Sequence, residues 1–455
     1  MPEIGTAGAG ALTIEKEKEY GWAFHLMANQ SLPIIHDPVL NNYINKLGQS
    51  LVASADSVKL PFNFFLIKDQ EINAAAFLGG NVKVHSGLFL YAKNESELAS
   101  VLAHEITHIT QRHLARMLEQ QSFSNPATLA TLAGSILLAL VSPTAGAAAL
   151  STSMALTMQS KINYTRANEY EADRIGIKIL AEAGYDPYGM ANFFSKLAQK
   201  YQYASSQPEM LSTHPLTKTR IAEARLRASQ YQVKHIKNSL DYQLSRVRIT
   251  VRYTNISADA AINTYQNELK NNEYEIKEAA LYGLALAYFK KKNYSKAHQI
   301  TTELLDKAPD NLFYIDLLTD TSIALNQTEK IITLLLLHYK KYPENAVYTL
   351  NLINALKINK HYQQAEKILG LFIRSHPNHI LAHRIALELY KKTGNTAKEY
   401  ATKAQYLALQ GRFREASQEM ANALAYTDNK LDQARYSATI ENYKKDDIRL
   451  QALQE

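Results

Sequence analysis

The order of apolar and polar positions divides this 455-residue chain into two stretches. In the first, extended and helical spacings are mixed. Phe62 to Ile67 and Asn81 to Phe89 carry strand signals. Within Asn81-Val82-Lys83-Val84-His85-Ser86, just after Gly79-Gly80, apolar and polar residues alternate with period two. Asn94, followed three positions on by Glu97, marks a helix start, and Leu98, Val101, Leu102 and Ile109 continue at helical spacing. A second helix opens at Asn168 and runs through Ile175, Ile179 and Leu180 to Gly184, and a third follows His214-Pro215 through Ile221 and Ala224.

The second stretch is periodic. Pro309, Pro343 and Pro377 are spaced 34 residues apart, the length of a tetratricopeptide repeat. Leu281, Leu284, Ala285, Tyr288 and Ala297 occupy signature positions before Pro309. Ala365 precedes Pro377 by the same interval as Ala297 precedes Pro309. The register then drifts, with Ala416 beginning a displaced match. Four to six helix pairs are expected between about 255 and 445. Stacked pairs share a continuous core and leave a groove for peptides or proteins, so this half predicts a binding function.

Within the first stretch, between the helix that opens at Asn94 and the one that opens at Asn168, no charged residue occurs between Glu119 and Lys161. Its apolar run, Ala130 to Val141, falls short of the roughly 20 residues that span a bilayer, and Pro143 and Gly146 interrupt anything longer. A lid or helical hairpin over 120–160, with membrane contact as a further option, is the expectation.

Candidate chemistry concentrates in His104-Glu105-Ile106-Thr107-His108. At about 100° per residue the two imidazoles share one helix face and can converge on a zinc ion. Glu105 then lies beside the metal, placed to accept a proton from zinc-bound water. His113 falls about 180° from His104 on a continuous helix. A metzincin pattern would also want glycine at Gln111 and histidine at Leu114, so His113 is not the third ligand. That ligand is sought in Asn168-Glu169-Tyr170-Glu171-Ala172-Asp173-Arg174, where Glu169 and Asp173 share a face. Glu169 is assigned to the metal and Asp173 to the support of a ligand histidine. Glu171 reads as part of a solvated acidic face. If strand Asn81, Val82, Lys83, Val84 forms the sheet edge, it can pair with an extended substrate. His85 is expected to face solvent, outside the metal set.

HEITH, then NEYEADRIGI, then Ser212-Thr213-His214-Pro215 with Arg220 resembles the HtpX-like and CAAX-prenyl-protease-like gluzincin metallopeptidases over roughly residues 15 to 230. The resemblance implies one zinc ion on His104, His108 and Glu169, Asp173 in support, and His214 and Arg220 over the active site. His214 is either an oxyanion donor or a fourth ligand that excludes water at rest. Arg220 binds a substrate carbonyl or a carboxylate of the site. The implied fold is α+β and mostly α: a gluzincin domain with a small β-sheet, then a tetratricopeptide solenoid. The expected divisions are a flexible leader at 1–14, the peptidase at 15–235, a connector at 236–254 and the repeats at 255–455.

The order of domains is similar to that of bacterial periplasmic proteases that assist outer-membrane β-barrel assembly. It implies a zinc endopeptidase and chaperone acting on unfolded or stalled outer-membrane proteins, with the repeats contacting the β-barrel assembly machinery. Two other readings are a scaffold whose zinc site is latent or structural, and a peptidase at the membrane surface.

A net charge of +7 without interleaved aromatic and basic residues argues against a nucleic-acid partner. The absence of cysteine removes disulfides and thiolate chemistry but fits any redox compartment. The opening Met1-Pro2-Glu3-Ile4 lacks the pattern of a signal peptide, which predicts either a cytosolic protein or a mature form, and the resemblance favours the periplasm.

Overall fold

The computed structural model describes residues 12–120, 166–203, 208–232 and 239–453. The expected lid or hairpin segment, from 121 onward, lies outside them, as does most of the expected leader. Two compact units form: Met1–Ile35, Tyr43–Tyr242 and Ala452–Glu455 make one, and His36–Asn42 with Gln243–Gln451 make the other. A change of unit within the first fifty residues was not expected from sequence, and the second unit takes in most of what reads as a connector.

Helix α1 (Ile14–Ser31), in the first unit, and α2 (Pro38–Val52), whose first residues are counted with the second, precede strands β1 (Asn63–Ile67), β2 (Ala74–Phe77) and β3 (Asn81–His85) of the first unit. The sheet order is β1-β3-β2, with β3 parallel to β1 and antiparallel to β2. This corrects the expected substrate strand. Asn81, Val82, Lys83 and Val84 are paired on both sides, the edges are β1 and β2, and the one that touches Glu105 is β2. The alternation of β3 is not an alternation of exposure either, since every residue from Asn81 to His85 is buried. His85 therefore does not face solvent.

The β2–β3 connection requires glycine. Gly79 and Gly80 adopt φ of 73° and 82°, and a Cβ on Gly80 would stand 1.8 Å from the Pro61 carbonyl oxygen.

Helix α3 (Ser86–Tyr91) leads to α4 (Glu95–Thr110), which carries the HExxH sequence. Its start is a reciprocal cap: Glu97 N–H donates to Asn94 Oδ1 at 3.0 Å, and Lys93 N–H donates to the Glu97 carboxylate at 2.8 Å. Helix α4 stops at Thr110 because Arg112 takes a left-handed φ of 51°, and α5 (His113–Gln120) restarts in a new direction. Helix α6 (Arg166–Glu182) lies against α4, and Gly176 permits the approach: a Cβ there would be 3.3 Å from His104 N. Helices α7 (Gly189–Tyr201), α8 (Glu209–Thr213) and α9 (Lys218–Ala228) complete the described part of the unit.

The second unit is a run of helices: α10 (Leu240–Tyr253), α11 (Ala258–Asn271), α12 (Lys277–Lys290), α13 (Tyr294–Lys307), α14 (Leu312–Ala324), α15 (Thr328–Lys341), α16 (Ala346–Ile358), α17 (Tyr362–Ser375), α18 (Ile380–Thr393), α19 (Thr396–Ala408), α20 (Phe413–Ala425) and α21 (Lys430–Ala452). The repeat shows in the caps. Asn311, Asn345 and His379, each two residues after a repeat proline, accept from the first-turn amides of α14, α16 and α18. Ala297 and Ala365 are fully buried, as close-packed helix pairs require. A buried ion cluster lies in the same unit. Arg248 bonds Asp37 Oδ2 and Asp316 Oδ2, each at 2.7 Å, and the Tyr282 hydroxyl at 2.8 Å.

Candidate metal centre

Helix α4 presents His104 and His108 on one buried face, with their Nε2 atoms 3.0 Å apart. Helix α6 brings Glu169, whose oxygens stand 3.5 Å from each Nε2. His214, at the end of α8, sets Nδ1 3.0 Å from Glu169 Oε1 and 3.3 Å from His104 Nε2. One donor atom from each of these four buried residues lies within 4.8 Å of the others. Three imidazoles and a carboxylate gathered around one point are a nitrogen and oxygen donor set whose chemistry suits zinc. Glu105 Oε1 is buried without a hydrogen-bond partner among the described residues, 3.6 Å from His214 Nε2. Its other oxygen accepts from Ala76 N–H of β2 at 2.9 Å. The base is thus anchored to the edge strand by one oxygen and offers the other to the site.

Behind the donors, His104 Nδ1 stands 3.0 Å from Asp173 Oδ1, an ion-pair contact without straight hydrogen-bond geometry. Arg220 grips Asp173 through two hydrogen bonds of 2.7 and 2.8 Å, reaches Glu169 Oε2 at 2.9 Å and donates to the Pro215 carbonyl at 2.8 Å. Of its two expected roles, the structure places it on carboxylates of the site. Expected among the catalytic groups, it makes its contacts with Asp173, Glu169 and the Pro215 carbonyl. Asp173 lies where sequence spacing put it, against a ligand histidine.

Sequence reading missed His113, Glu171 and Arg116. The left-handed turn at Arg112 breaks the helix on which His113 would have faced away. His113 returns to place Nδ1 2.8 Å from His108 Nδ1, and its Nε2 lies 3.1 Å from Glu171 Oε2. Glu171 also accepts from Arg116 at 2.8 Å and is not simply part of a solvated face. No glycine marks the turn, so only the restart of apolar spacing at Leu114 and Met117 could have signalled it.

Burial opposes charge throughout the centre, and local partners decide the outcome. In His104 burial disfavours the proton, but Asp173 and Glu169 retain it, pushing the pKa up to about 10. His108 is driven well below the ordinary histidine range by burial and by the His104 charge. Burial raises Glu105 against the lowering influence of His214 and His104, which suits a base. Burial also works to raise Glu169, yet the flanking imidazoles hold it well below the usual carboxylate range.

At pH 7 the metal-free centre therefore carries the His104 proton, which zinc must displace. Calorimetric titration in buffers of different ionisation enthalpy is expected to show about one proton released per zinc, with affinity rising up to about tenfold per pH unit toward alkaline pH. Heats independent of buffer would contradict this.

A histidine pair one turn apart, a glutamate base between them and a carboxylate from a second helix define a zinc metallopeptidase of the gluzincin class. A model of peptidase family M48 matches residues 38–228. The chain is 45% identical over 442 residues to a Vibrio cholerae protein provisionally named a β-barrel assembly-enhancing protease, covering 97% of this chain and 91% of that one. It is 39% identical to the β-barrel assembly-enhancing protease of Escherichia coli, covering 98% and 91%. The mitochondrial metalloendopeptidase OMA1 of Schizosaccharomyces pombe is 27% identical, covering 48% of this chain and 60% of that one. The chain belongs to peptidase family M48 and is a zinc metalloprotease.

Proposed function

We propose that this protein is a zinc endopeptidase and chaperone of the bacterial periplasm that promotes outer-membrane β-barrel assembly and degrades clients that stall. The observation that carries this reading is the near full-length identity to relatives bearing that name, peptidase and solenoid together. His104, His108 and Glu169 would hold zinc, which when bound would supply Lewis acidity to a peptide carbonyl and to the attacking water. Glu105 Oε1 accepts the proton of that water and delivers it to the departing amine, while its Ala76 contact fixes the carboxylate. Arg220 and Asp173 keep Glu169 and His104 in place.

Substrate selection is assigned to β2, whose outer edge is unpaired within the sheet, so an extended client segment can add to it as a strand. An open recess lined by Leu60, Ala76, Phe77, His108, Ile109 and Leu114, with Glu17 and Arg112 also on its wall, adjoins this edge and offers a place for a client side chain. The solenoid is the surface for the client or the β-barrel assembly machinery.

The place of His214 in the donor set supports the resting-block role over the oxyanion role, and it also favours the second reading, a scaffold with a latent site. One experiment tests both. The chain, exported to the periplasm of an Escherichia coli strain lacking its relative, is expected to restore outer-membrane protein assembly. His214→Ala is expected to clear stalled precursors faster. A stable, exported chain that restores nothing would overturn the proposed role, and slower clearance by His214→Ala would make that residue an oxyanion donor.

A further inference from the structure

The two ligand histidines are backed differently. His104 meets a carboxylate directly, whereas His108 meets another imidazole. For His108 Nε2 to present a lone pair to zinc in the neutral ring, its proton must sit on Nδ1. That nitrogen is 2.8 Å from His113 Nδ1, so His113 must accept there and carry its own proton on Nε2. Its Nε2 is 3.1 Å from Glu171 Oε2, which accepts that proton while Arg116 holds the same oxygen at 2.8 Å. With Glu171 as acceptor at one end, the protons of both rings point one way. His113 is fully buried and Glu171 lies on α6, the helix that also supplies Glu169.

We infer that His113 and Glu171 are positioning residues of the metal centre: an imidazole relay anchored on Glu171 fixes the tautomer and ring orientation of His108 and so sets zinc affinity. It does for His108 what Asp173, clamped by Arg220, does for His104. Carboxylate support of this kind raises ligand basicity, and removing it typically weakens metal binding 10- to 100-fold. The turn at Arg112 is what makes the relay possible, because a helix continued past Thr110 would carry His113 away from His108. Arg112 is held in that conformation by Glu17, 3.2 Å from its Nε, and by the Leu12 carbonyl.

The inference rests on the zinc-site reading, and the test separates the two. Zinc dissociation constants of the full chain are measured by chelator competition, with melting of the metal-free protein on the same samples. His113→Phe keeps a planar ring but no acceptor and is expected to bind zinc about 10- to 100-fold more weakly. His113→Asn places an amide oxygen near the position of Nδ1 and is expected to stay within a few-fold of wild type. Glu171→Ala, at a partly exposed position, is expected to weaken binding while the metal-free melting temperature hardly changes. Wild-type affinity in both His113→Phe and Glu171→Ala would overturn the relay, as would equal losses in the Phe and Asn variants. A wild-type chain that binds no zinc would overturn the site reading itself.

Discussion

Glu105→Gln is expected to retain zinc and lose cleavage of an unfolded casein-like substrate by a factor of about 10² to 10⁴, the range typical of a removed general base. The amide keeps the shape of the carboxylate, and its carbonyl oxygen can still accept from Ala76 N–H, so β2 stays tethered. What disappears is the free carboxylate oxygen at Oε1, buried without a hydrogen-bond partner among the described residues. The measurement pairs peptide release with zinc content on the same samples. Undiminished cleavage would remove Glu105 from the chemistry, and lost zinc would assign it a structural part. Glu105 makes no contact with the arginine clamp at Asp173 or with the His113 relay, so the two effects should separate cleanly.

The second large effect lies in the solenoid unit. Arg248→Met is expected to destabilise it by about 3 to 5 kcal/mol, because it removes the guanidinium that bonds both buried carboxylates, Asp37 and Asp316, and leaves Asp316 only the more distant Arg252 at 3.9 Å. That corresponds to a fall in melting temperature on the order of 10 °C. The pH dependence carries a sign. In the native cluster burial works to raise the Asp37 pKa, but Arg248 and the neighbouring donors bring it below the ordinary value. A depressed carboxylate contributes stability at pH values above its unfolded pKa and loses it as pH falls through the folded one. In Arg248→Met that balance reverses, so the deficit against wild type is expected to shrink as pH falls from 7 toward 4. Adding Asp37→Asn and Asp316→Asn should recover much of the loss. Thermal melting of the wild type, Arg248→Met and the triple variant at pH 7 and pH 4 provides the check, and a deficit unchanged across that interval would contradict the charge argument.

Much of this structure is local and was therefore legible in the sequence. The Asn94–Glu97 cap, the spacing of His104 and His108, the Glu169–Asp173 pair and the proline interval of the repeats all depend on neighbours within a few turns. What escaped depends on departures from regularity or on distant partners. His113 was placed by extending a helix that a left-handed residue at Arg112 interrupts, and arginine carries no sequence warning of that conformation. The period-two alternation of β3 reports pleating and leaves an edge position open, whereas pairing on both sides is decided by β1 and β2. Arg220 could be placed near the site by resemblance, but its carboxylate partners come from a helix about fifty residues earlier.

The Asp37–Arg248 pair spans 211 positions of sequence. During synthesis the acidic member emerges first, and no guanidinium exists to meet it until the chain has grown past α10. A segment made early is thus completed by a partner made late. By the same logic, a separately expressed fragment beginning at Gln243 would carry Arg248 without Asp37, and its repeats would be judged less stable than they are in the intact chain.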